Sequence, residues 1–136
     1  MANETEKLTV NLGVVELAQV DVLVEQGIYS NRSDFIRTSV RNHLKNYNEN
    51  FENQLIPIAS KKTWEKTIGI AIITKKLLEE WVTKENEKKL NFSVIGMLVF
   101  DKDISTALFE NTVDTVLIRG KLVASSEIKD IINKMN

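Results

Sequence analysis

Cysteine is absent from the 136 residues, which excludes disulfides and thiolate metal sites. Histidine occurs once, at His43, so a His-rich metal cluster is excluded as well. Any metal would rest on carboxylates alone, and neither a metal site nor a cofactor is expected. No apolar run approaches the roughly 18 to 20 residues that a membrane span needs, and the opening Met-Ala-Asn-Glu-Thr-Glu lacks the basic and apolar regions of an export signal. The expectation is a cytoplasmic protein with no membrane partner. A net excess of positive charge is also missing, since 18 Lys and Arg stand against 19 Asp and Glu for a formal charge of −1. Affinity for phosphate depends on where the bases sit rather than on the total. Proline occurs once, at Pro57, and glycine five times, so the few glycines present mark special places.

What is there begins with Lys7-Leu8-Thr9-Val10-Asn11-Leu12, which alternates polar and apolar side chains. Side chains of a strand point to opposite faces with period two, so Leu8, Val10 and Leu12 share one face and Lys7, Thr9 and Asn11 the other. One six-residue strand needs a partner, and the matching strand is the same segment of a second copy. The sequence therefore implies a homodimer. After Gly13, Leu17, Val20, Leu23 and Val24 form a helical stripe over residues 14–26, and Gly27 offers the conformation that ends a helix. Asn31 then caps a second helix, with Asp34 three residues on as the acidic half of a capping box. Ile36, Val40 and Leu44 line one face of that helix, and Arg37 and Arg41 lie one turn apart on another. Tyr47, Phe51 and Leu55 keep near-helical spacing toward Pro57.

Groove dimensions give this arrangement a use. A two-stranded ribbon fits the major groove of B-DNA, where base edges distinguish all four pairs. Lys7, Thr9 and Asn11 from both copies would form the reading face, with Lys7 suited to guanine, Asn11 to adenine and Thr9 to several partners. The second helix offers backbone N–H groups and a positive dipole end at its N-terminus, which makes Asn31, Arg32 and Ser33 candidate phosphate anchors. Residues 27–37, Gly-Ile-Tyr-Ser-Asn-Arg-Ser-Asp-Phe-Ile-Arg, resemble the Gly-x-Tyr-x-x-Arg-Ser-Glu-x-Ile-Arg pattern of the ribbon-helix-helix superfamily of Arc, MetJ and CopG, and the resemblance covers about residues 1–47. It departs from the pattern in having Asp34 for Glu and fewer bases on the strand. The resemblance implies an intertwined dimer that binds double-stranded operator DNA with its paired strands.

The second half shows a spacing of its own. Residues 48–63 are polar and Asn-rich and make a helix extension and linker. Beyond them Gly69, Gly96 and Gly120 fall 27 and 24 residues apart, and each opens a short strand. Thr74, Asp101 and Ser125 follow as helix caps, with Leu77, Ile104 and Ile128 three residues later and Trp81, Leu108 and Ile132 four beyond. That spacing lies within the range of leucine-rich-type repeats. The expected fold class is therefore α+β: a ribbon-helix-helix unit over 1–47, and over 64–136 a small α/β domain of three repeats with parallel strands.

The expected function is a sequence-specific transcriptional regulator, a repressor, acting as a homodimer with room for higher oligomers. An alternative is an antitoxin or plasmid-partition adaptor whose residues 64–136 hold a protein partner. An enzyme is not expected, because the chain offers no Cys, its lone His43 belongs to the second helix, and its carboxylates sit at caps and solvated faces rather than as a paired acid and base.

Overall fold

The computed structural model describes residues 5–55, 62–84 and 88–135. The chain divides into two compact units, Met1–Tyr47 and Asn48–Asn136.

The first unit holds two helices, α1 (Val14–Glu25) and α2 (Arg32–Leu44), followed by a 3-10 turn over Lys45–Tyr47. Two N–H groups close the end of α1, that of Gly27 on the Val24 carbonyl and that of Ile28 on the Leu23 carbonyl. This double closure needs a left-handed residue at the turn, and Gly27 supplies it with φ of 77°. The polypeptide then turns through Tyr29, whose ring meets that of Phe35 edge-on at 5.0 Å. Residues 5–13 form no ladder with any described strand. A strand exists only through its partner, and a single copy supplies none for the alternating segment 7–12.

In the second unit α3 (Asn48–Gln54) continues past the 3-10 turn. The helical spacing of Tyr47, Phe51 and Leu55 is thus interrupted by a tighter turn rather than run as one helix. Strands β1 (Glu65–Ile73), β2 (Leu90–Phe100) and β3 (Val113–Val123) form a parallel sheet in the order β1-β2-β3, and each is followed by a helix: α4 (Lys75–Thr83), α5 (Thr106–Thr112) and α6 (Ser126–Met135). Leu78, Phe109, Ile128 and Ile132 from the three helices pack on Phe92, Val94, Leu98, Phe100 and Val116, so all three helices cover one face. Fully burying each such side chain contributes roughly 1.5 to 3 kcal/mol. Phe100 adds edge-on contacts to Phe92 and Phe109 at 5.8 and 5.1 Å.

Register within the sheet is fixed at the glycines. Gly69 pairs with Gly96 and Gly96 with Gly120, which brings Ala71, Leu98 and Leu122 side by side two residues later. Gly96 and Gly120 carry φ of 138° and 134°, and a Cβ on either would overlap the carbonyl oxygen of the glycine on the preceding strand. Only glycine allows backbones to approach there.

One cap differs from expectation. Thr74 and Ser125 cap α4 and α6, accepting the N–H groups of Leu77 and Ile128 at 3.1 and 3.3 Å. The middle helix is capped by Ser105, which accepts the Leu108 N–H at 3.1 Å, and not by Asp101. Asp101 donates its own N–H to the Ile73 carbonyl and sits at a turn closed by Ile104 N–H on the Asp101 carbonyl, so Ile104 precedes α5 instead of opening it. The middle unit carries four extra residues between strand and cap, and the equal spacing of Asp101 after its glycine conceals them.

The connector is tied to the sheet ends. Ser93 donates to the Leu55 carbonyl, Asn91 Nδ2 to the Thr63 carbonyl at 3.1 Å, and Lys62 Nζ to Asp114 and Thr115 at 3.0 and 2.9 Å.

Candidate nucleic-acid interface

Two groups of side chains on the first unit carry the chemistry expected of it. Lys7, Thr9 and Asn11 are exposed. Their apolar alternates are exposed as well, Leu8 at 83%, Val10 at 54% and Leu12 at 38%. On α2, Ile36, Val40 and Leu44 are likewise exposed, and no residue of α2 is buried. Within α1 only Val20 is buried. The two helices thus present the apolar half of a core without the half that would close it.

The second group gathers at the N-terminus of α2. Asn31 Oδ1 accepts the Asp34 N–H at 2.8 Å, and Asp34 Oδ2 accepts the Ser30 N–H at 2.9 Å. Asp34 reaches past the capping residue to the one before it, so the box closes one position earlier than its usual form. Asn31 takes the N–H of Asp34, which leaves Arg32 and Ser33 as the first-turn residues whose N–H groups suit an outside oxygen.

Arg32 is placed differently from a loose phosphate anchor. Its Nε and Nη2 donate to Asp21 Oδ1 and Oδ2 at 2.8 and 2.9 Å, a two-pronged ion pair that joins α1 to α2 across eleven residues. Hydrogen bonding from Arg32 holds the Asp21 carboxyl below its ordinary range, and the same contact raises Arg32. Asp21 was not legible as a partner, because the pairing depends on how the turn between the helices folds back. On the same helix Arg41 Nη2 reaches Thr38 Oγ1 at 3.4 Å, and His43 stacks edge-on against Tyr47 at 5.6 Å.

Among the described residues no group of three or more His, Cys, Asp or Glu is placed to hold a metal ion, and no helix is long and apolar enough to cross a membrane.

A strand-forming segment, a glycine-closed helix and a box-capped second helix, in that order, outline a DNA-binding regulator of the ribbon-helix-helix class. The chain matches the Ribbon-Helix-Helix transcriptional regulator family over residues 3–129 and belongs to it. That match takes in residues of both units. No curated protein and no solved structure matches the chain.

Proposed function

We propose that two copies pair their segments 7–12 into an antiparallel ribbon that enters the major groove of DNA. Lys7, Thr9 and Asn11 of both copies read base edges, while Asn31, Arg32 and Ser33 at each α2 N-terminus hold flanking phosphates. Because Asp21 occupies the Arg32 guanidinium, Arg32 acts here through its backbone N–H and by fixing α2 against α1. The bound dimer works as a cytoplasmic repressor by occupying promoter DNA. The second unit is a short solenoid of three strand–helix turns, similar to leucine-rich repeats.

The observation that carries this reading is the exposure of Leu8, Val10, Ile36, Val40 and Leu44 in a single copy. A two-helix unit with its apolar stripe in water lacks the buried area to hold itself together, and intertwining with a second copy buries both stripes at once. The polar alternates Lys7, Thr9 and Asn11 then face outward on a ribbon of groove width.

Selection of binding sites from random DNA with the full chain tests the reading. A two-fold protein selects two half-sites in inverted orientation. Selected pools with no sequence preference, or with one unsymmetrical site, would contradict it.

A further inference from the structure

Strand β1 has the composition of a strand from the middle of a sheet, yet it stands at the edge. From Ile68 to Ile73 it runs Ile-Gly-Ile-Ala-Ile-Ile without a polar residue, the continuous pattern of parallel strands enclosed on both faces. β2 has the same kind of run from Val94 to Phe100, and it is central. β3 is the other edge, and it interrupts its run with the exposed Arg119 and Lys121. Charges of that kind keep natural edge strands from pairing further. One edge of the sheet is protected and the other is not.

Surfaces beside β1 agree with this. On the face away from the helices, Ile68, Ile70 and Ile72 are each nearly half exposed. On the helix face a groove of about 290 Å³ runs along the strand, lined by Thr67, Ala71, Ile73, Leu77, Trp81 and Phe92. At Gly96 and Gly120 the space beside the α-carbon is filled by the glycine carbonyl of the preceding strand, whereas at Gly69 nothing lies within 4 Å of that position. The place of one further strand is open there, with apolar surface above and below it.

We propose that the occupant is β1 of a second copy, paired antiparallel across a two-fold axis to give a continuous six-stranded sheet. This rests on the dimer reading above. β1 is the first strand after the first unit, so a dimer of first units holds two β1 strands in one assembly and makes their meeting intramolecular. Contact of β1 with β1 uses the same patch on both copies and closes with the two-fold symmetry of the ribbon. Contact of β3 with β1 is head-to-tail and does not close. The chemistry agrees: β1 against β1 buries no charge along its apolar run, and an antiparallel register centred on Ile70 sets Ile68 of one copy opposite Ile72 of the other. β3 would instead bring Arg119 and Lys121 to the apolar edge.

The absence of cysteine makes the test direct. Single-cysteine variants Ile70→Cys and Arg119→Cys of the full chain are treated with a short bis-maleimide, and the wild-type chain is sedimented in parallel. Both positions are exposed, and circular dichroism of each variant checks that the fold is kept. The expected result is a covalent dimer from Ile70→Cys at a rate at least tenfold above that of Arg119→Cys. Adding Ile68→Lys and Ile72→Lys to Ile70→Cys should remove that advantage while the protein still sediments as two copies. Equal rates, preferential linkage of position 70 to position 119 in a mixture of the two variants, or no linkage at position 70 in a chain that sediments as a dimer would overturn the inference and leave the ribbon standing. A wild-type chain that sediments as a monomer would overturn the ribbon dimer and this pairing with it.

Discussion

Asp21 on α1 and Arg32 at the start of α2 face each other through two hydrogen bonds of 2.8 and 2.9 Å, and this pair is the one ion bridge between the two helices among the described residues. It fixes the end of α2 that is proposed to meet phosphate, and it pairs the base nearest that end.

Asp21→Asn separates these two effects. The guanidinium is released toward DNA, so affinity at low salt should rise on operator and random sequences alike, and the slope of log affinity against log salt should steepen by about 0.9 for each added phosphate contact. Acid sensitivity should change as well. The carboxyl is held below its ordinary value of 3.8 in the folded chain, so its stabilisation is complete above the unfolded value and is lost as pH falls through the folded one. Thermal midpoints of wild type and variant should therefore converge as the pH is lowered below about 4. An unchanged salt slope would mean that Arg32 stays away from phosphate even when released.

The middle cap is open to the same kind of separation. Ser105→Ala removes the acceptor for the Leu108 N–H and should cost about 1 kcal/mol in denaturant unfolding. Asp101→Ala removes no cap and should cost less than half as much. The reverse order would restore Asp101 as the capping residue.

Backbone approach at the glycines gives a graded series. Gly96→Ala sets a methyl group into the Gly69 carbonyl and also imposes a backbone conformation that alanine resists, so the second unit should fail to fold. Gly69→Ala meets open space within its own chain and retains only the conformational strain, about 1 to 3 kcal/mol. Circular dichroism with urea unfolding distinguishes them, and equal losses would show that strain alone explains both.

Much of this architecture was legible because it is written in local chemistry. Gly27 and the Asn31-to-Asp34 box announce where one helix stops and the next begins, and Gly69, Gly96 and Gly120 announce a shared register, which at Gly96 and Gly120 only glycine permits because a Cβ would meet the neighbouring glycine's carbonyl. What was hidden depends on more than a local stretch. Asp101 and Ser105 are both good capping residues, and their order was decided by four residues of extra turn that spacing alone favoured ignoring. The Asp21 to Arg32 pair depends on the angle between two helices. For residues 7–12 alternation predicts a strand, and no described strand of the single copy pairs with them, so the proposed partner is a second copy.

The central claim is that the outward face of the ribbon reads bases. Its most direct test is the affinity of Asn11→Ala and Thr9→Ala for the selected operator and for random DNA at one salt concentration. Loss of a base-edge contact predicts a cost of about 1 to 3 kcal/mol on the operator and little on random DNA, so the specificity ratio falls. Equal losses on both, or none on the operator, would contradict it.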